Sequence, residues 1–170
     1  MKKLHLILLI LILVVSFTAC QSKDVDTDPV ENTNLEGSLE SILDNIYETA
    51  EVDESFKDYI NNRLQVTEIT AENMGYFLGK DDIEFETAIA SEPMMSSSAY
   101  SLCLVRVKEG ADIEKIKTEI KENVDPRKWI CVGVDPNNII VDNIGDVVVL
   151  IMNDDIGSAL HDAFLQLKEK

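Results

Sequence analysis

Histidine is almost missing. There are two in 170 residues, and one of them is His5. Metal chemistry built on paired histidines is excluded by that count. His161 alone could serve as a catalytic base, and it stands beside the apolar stripe of a helical segment, where a plain surface role suffices. Neither G-x-S-x-G nor S-x-x-K occurs to supply a nucleophile for it. Aromatics make up 6% of the chain, with Trp129 the single tryptophan. That is little to line a sugar-cleaving cleft, although 32 acidic residues make chance carboxylate pairs inevitable. Positive charge is scarce too. Fifteen basic residues face those 32 acids, for a formal net charge of −17. Such a surface repels phosphate backbones and argues against nucleic-acid binding. The cysteines number three, and none forms C-x-x-C, so a thioredoxin-type redox role lacks its motif. Nothing here calls for a cofactor, a metal or a catalytic residue.

What is present begins at the N-terminus. Lys2 and Lys3 form a short basic region, Leu6 to Val15 is an unbroken apolar run, and no acid occurs before Asp24. The run is shorter than the ~20 residues that span a bilayer and fits the core of a signal peptide. It closes on Ser16-Phe17-Thr18-Ala19-Cys20, which resembles a bacterial lipobox. The resemblance implies lipidation of Cys20 and cleavage before it, although Phe17 stands where leucine is commonest. The expected organisation is a lipoprotein signal peptide over 1–19, a lipid-anchored acidic tether over 20–37 and one domain over 38–170. The address that follows is the cell membrane, extracytoplasmic face, with palmitate and diacylglycerol as the anchor. Asp24, Asp26 and Asp28 have the spacing that opens a calcium loop. Pro29 and Leu35 occupy the positions where such a loop needs Gly and Glu, so the segment reads as a solvated, disordered linker.

From residue 38 the chain has the patterning of an α+β fold. Leu39, Ile42, Leu43 and Ile46 recur at helical spacing, and Phe56, Ile60 and Leu64 continue in a second helix. Thr70 is placed to cap a short third helix that Gly79 stops. The expected order is then ββαβββα. Strands are predicted near 83–89, 100–107, 129–134, 139–141 and 147–152, with helices over 113–124 and from Asp154 or Asp155 onward. Strands 100–107 and 129–134 would lie parallel about the 113–124 helix. The sheet is expected to be mixed but mostly antiparallel. The two C-terminal helices are expected on one face and the N-terminal helices on the other.

Lipobox, acidic tether, Pro93-Met94-Met95, the strand YSLCLVRVKEGAD and a hydrophobic strand ending near Asn153 together resemble a family of small, uncharacterised lipoproteins of Gram-positive bacteria. The resemblance covers about residues 70–168. It implies the address and the domain boundary, and no catalytic residue.

Two sets of residues remain as candidates. Cys103 and Cys131 flank the 111–124 helix and would form a disulfide if their strands were neighbours in register, or else stay as small buried thiols. Met94 and Met95 cannot both point inward from an extended chain. They are either an exposed partner contact or a pair buried by a curl of the loop. The expected function is a non-catalytic binding or accessory module that meets an extracytoplasmic protein or wall component. The alternative is a small hydrolase or a peptidase-inhibitor-like domain.

Overall fold

The computed structural model describes residues 34–169. Cys20, the signal peptide and most of the tether lie outside them. The elements are α1 (Leu39–Thr49), α2 (Glu54–Arg63), β1 (Leu64–Glu68), α3 (Met74–Leu78), β2 (Phe85–Pro93), β3 (Ser101–Val107), α4 (Ile113–Asn123), β4 (Ile139–Ile144), β5 (Val147–Met152) and α5 (Gly157–Gln166). This is an α+β fold.

The helices start where short polar side chains meet free backbone N–H groups. Ser38, Asp53 and Asp112 cap α1, α2 and α4 by accepting from the amides of Ser41, Phe56 and Lys115. α5 is different from expectation. Asp154 does not cap it. Asn153 Oδ1 accepts from the amides of Asp155 and Ile156, while Asp154 accepts from Asp135 N and Asn138 Nδ2. Thr70 likewise opens a turn ahead of α3, and Asn73 stands at the cap position. Gly79 does end α3, with φ 81°. A Cβ there would stand 2.3 Å from the Asn123 carbonyl carbon. Glycine thus serves both the left-handed turn and the close arrival of the α4 C-terminus.

The five strands form one sheet in the order β1-β2-β3-β5-β4, and every neighbouring pair is antiparallel. Two expectations fail here. Residues 129–134 form no strand but an irregular loop, and the strand that completes the sheet is β1, which continues straight from α2. The expected parallel pair is therefore absent, and β3 and β4 run in the same direction with β5 between them.

Alternation sends the side chains of the two central strands to two cores. Leu102, Leu104, Val147, Val149 and Ile151 meet α1 and α5. Cys103, Val105, Val148, Leu150 and Met152 meet α3, α4 and the loop that carries Trp129. The C-terminal helices thus lie on opposite faces, not on one. Each face pairs one early helix with one late helix. Burying each large side chain of β5 contributes about 1.5–3 kcal/mol, which makes this doubly covered strand the stable spine of the domain.

The residues just ahead of α1 also touch the fold. Arg106 donates through its guanidinium to the carbonyls of Leu35 and Gly37 at 2.7 and 2.8 Å, and Leu35 packs on the core of α1 and α5. The end of the expected tether is held to the fold.

Candidate functional site

Two loops meet beyond the ends of β2 and α4. The first is 94–99, which follows β2 without a break. The second runs from Val124 to Asp135. Val124 leaves α4 in extended conformation, with φ −61° and ψ 140°, and Pro126, which has no N–H to continue the helical ladder, follows two residues later. Asp125 accepts from Arg127 N, and Val134 N closes the loop on the Pro126 carbonyl at 2.9 Å. Gly133 is required at that closure, because a Cβ would sit 2.8 Å from the same carbonyl. The two loops are joined by Ile130 N donating to Ser96 O at 2.8 Å. Loop 94–99 is also tied to the end of α2, where Met94 N donates to Arg63 O.

Beneath the joined loops lies a buried charge pair. Glu92 points from β2 into the face that α3 and α4 cover. Lys128 Nζ stands 2.6 Å from Glu92 Oε1, and the lysine side chain is 3% exposed. The contact is an ion pair, with Glu92 Oε1 accepting no hydrogen bond; Nζ has the Tyr76 carbonyl at 3.5 Å as its hydrogen-bond acceptor. The rings of Tyr76, Phe77 and Trp129 surround the ammonium, with centroids at 4.6, 5.3 and 5.4 Å. Cation–π attraction replaces part of the lost hydration. Tyr76 Oη donates to Glu92 Oε2 at 3.3 Å, and burial, then the Glu92 charge, push its pKa up to about 12. Cys103 lies under the same cluster. Burial pushes its thiol up to about 11, against the opposing pull of Lys128. That thiol is protonated and unreactive at neutral pH.

Above the pair the loops present apolar side chains to solvent. Met94 is 56% exposed, Met95 66% and Ile130 66%. The curl that would bury both methionines is not adopted. Cys131 follows Ile130 with φ 61°, a conformation that β-carbon-bearing residues rarely take. It lies at an open concavity of about 690 Å³ that Arg127, Trp129 and Val134 also line. Cys103 and Cys131 are free thiols, one buried and one exposed. No disulfide joins them. The register that would have brought them together needed a strand at 129–134.

His161 is more than a surface residue. Its Nε2 donates to Asp142 Oδ2 at 2.8 Å, and Lys117 Nζ approaches the other oxygen at 3.5 Å. Burial raises the Asp142 pKa, but the bonds from His161 and the Asn143 amide, with the charges of His161 and Lys117, outweigh it and hold the carboxyl below its usual value. Lys117 comes from α4 and His161 from α5, so the cluster closes around the β4 edge and joins the two faces. Both oxygens of Asp142 are engaged, Oδ2 by His161 and Oδ1 by Lys117 and the Asn143 amide. Among the described residues no group of three or more His, Cys, Asp or Glu is placed to hold a metal, and no helix is long and apolar enough to cross a membrane.

Sequence reading pointed to Met94 and Met95 but missed Ile130, Glu92 and Lys128. A lysine and a glutamate set within apolar stretches, at RKWICV and IASEPMM, were the available signal. Compared with known proteins, the chain matches no family model, no curated protein sequence and no solved structure.

Proposed function

We propose that this protein is a lipid-anchored, extracytoplasmic module, and that its domain binds a protein or wall component through Met94, Met95 and Ile130. The observation that carries this reading is the exposure of those three apolar side chains on two loops that are bonded to each other. Flexible methionines suit an adaptable contact, and the charge pair beneath them gives the loops a firm base. The first twenty residues support the address, with Cys20 as the acylated N-terminus. The hydrolase or inhibitor alternative draws less support, because Lys128–Glu92 and His161–Asp142 are each occupied by one another.

Two measurements test the proposal. Mass spectrometry of membrane-extracted protein should find diacylglyceryl-Cys20 at the mature N-terminus, and a soluble form beginning elsewhere would refute the address. Met95→Asp and Ile130→Asp should leave the thermal midpoint nearly unchanged while abolishing recovery of a stoichiometric partner from the native membrane. A folded variant that keeps its partner would refute the contact surface, and so would one that unfolds.

A further inference from the structure

The two edges of the sheet are treated differently. At the β4 edge, Lys121 donates to the Ile139 carbonyl, Lys117 bonds Asn143 Oδ1 at 2.9 Å, and His161 holds Asp142. Side chains of this kind keep an edge from pairing with another chain. At β1 the arrangement is open. Two bonds to β2 frame the strand, Met94 N to Arg63 O and Ile69 N to Ala88 O. In an antiparallel ladder residues alternate between facing the partner strand and facing away. With 63 and 69 facing β2, the main-chain groups of Leu64, Val66 and Glu68 face outward. Asn73 Nδ2 covers the Glu68 carbonyl at 3.0 Å. The main-chain N–H and C=O of Val66 have no partner among the described residues. Its side chain is 51% exposed, in a groove it shares with Leu39 and Ile89.

The charge around this groove is of one sign. Glu40, Glu68 and Glu86 line it and are exposed. Among the described residues the one cation lining it, Arg106, is already committed to Asp146 at 3.2 Å and to the carbonyls of Leu35 and Gly37. We infer that the β1 edge takes up an extended, basic peptide segment as an added strand. Its main chain would pair with Val66, an apolar side chain would lie over Val66, and basic side chains would meet the three glutamates. Main-chain pairing supplies affinity in such an arrangement, and the side chains supply selectivity. The other occupants fit worse. The tether brings Asp24, Asp26, Asp28 and Glu31 to an acidic rim, and a second copy would set Glu68 and Glu86 against their own kind. The inference uses none of the loop residues Met94, Met95 or Ile130 and stands apart from the contact proposed for them.

The test uses the full chain and a labelled peptide of repeating Lys-Thr-Val-Thr, which sets Lys and Val on one face of a strand, with fluorescence anisotropy as the readout. Binding should weaken with salt and be absent for the matching peptide with Glu in place of Lys. Val66→Pro removes an outward N–H without touching the ladder to β2, and should weaken binding by about tenfold or more. Should that variant not fold, the same loss is expected for the unaltered chain with a peptide N-methylated along one edge. Glu68→Lys with Glu86→Lys should abolish binding. Equal binding by Val66→Pro, or by the N-methylated peptide, would overturn the inference in favour of diffuse charge attraction. A dimer in sedimentation that Val66→Pro dissolves would overturn it in favour of self-pairing, and a protection of Val66 N–H lost on deleting residues 21–33 would favour the tether.

Discussion

The two faces of the sheet solve the burial of polar groups in opposite ways. At the centre of the α1 and α5 face the polar atoms are neutral and chained, while the charged pair Arg106–Asp146 stands at its partly exposed end, where Arg106 also holds the irregular segment 35–37. Tyr100 donates to Tyr47 and Tyr47 donates to Ser91, both at 2.8 Å. Burial is the main reason that Tyr47 is pushed up to about 12, and Tyr100 also lies well above its usual value. On the α3 and α4 face, the polar atoms are charged, and Lys128 reaches Glu92 through a cage of rings. The first face is closed by regular helices whose side chains fall into register. The second is closed by a loop with no repeating geometry, and a buried ion pair is what specifies where that loop sits. Irregular backbone is tied down by charge where regular backbone is tied down by shape.

The comparison can be broken hardest at Lys128. Lys128→Met keeps the volume but leaves Glu92 buried without its cation, which costs about 3–5 kcal/mol. Urea denaturation should register that loss. The double change Lys128→Met with Glu92→Leu should recover most of it, because replacing both charges of a buried pair by apolar groups is often neutral or better. If the single variant loses less than about 1 kcal/mol, which is what exposed pairs contribute, the ion pair does not hold the loop. The Ile130 amide should also lose hydrogen-exchange protection in the single variant, since its bond to Ser96 depends on the loop's position.

The same contrast explains which parts of the fold could be read from the sequence. Regular segments carry their burial in their period. Leu39, Ile42, Leu43 and Ile46 announce one helical face, and VVVLIM announces a strand covered on both sides. The loop at 129–134 misleads because Trp129-Ile130-Cys131-Val132-Gly133-Val134 is an apolar run rich in strand-forming residues. Its burial does not alternate, since Trp129 and Val134 are buried and the four residues between them are exposed. Pro126 and Gly133, whose backbone constraints close the loop, sit at its ends without marking its middle. β1 was hidden for the opposite reason. Leu64 completes the apolar stripe of α2, and nothing between Arg63 and Leu64 signals a break. The site was legible only in its exposed half. Met94 and Met95 stand out as neighbours that cannot share a face, whereas Glu92 and Lys128 are far apart in sequence, and only the pairing of β2 with the end of α4 makes them partners.

A smaller effect sharpens the comparison from the neutral side. Tyr47→Phe removes one hydroxyl and leaves those of Tyr100 and Ser91 without a mate. The cost should be about 1–2 kcal/mol, the range for a buried group left unsatisfied. Tyr100→Phe removes only the end donor and should cost less. Thermal denaturation of both variants gives the order, and an equal or inverted result would mean that water already serves these hydroxyls. Cysteine labelling adds a check that changes no residue. Maleimide should modify Cys131 promptly in the folded chain and reach Cys103 only on unfolding, as peptide mapping would reveal.

The smallest effect lies at the seam where the faces join. Asp142 is held by His161 from α5 and by Lys117 from α4, and its folded pKa lies below the unfolded value of 3.8. A carboxylate whose pKa is depressed by folding contributes stability above its unfolded pKa and loses it as pH falls through its folded pKa. Its side chain is 33% exposed, so screening limits the contribution to about 0–1 kcal/mol. Asp142→Asn should therefore be slightly less stable than the natural chain at neutral pH, and the gap should narrow as pH falls below 3.8 and through the lowered folded pKa, where the carboxyl loses its charge. Urea midpoints of the two proteins at neutral and acid pH measure that gap. A difference that persists or widens in acid would mean that Asp142 acts by packing or by its bond to the Asn143 amide, and that α4 and α5 are joined by the apolar faces alone.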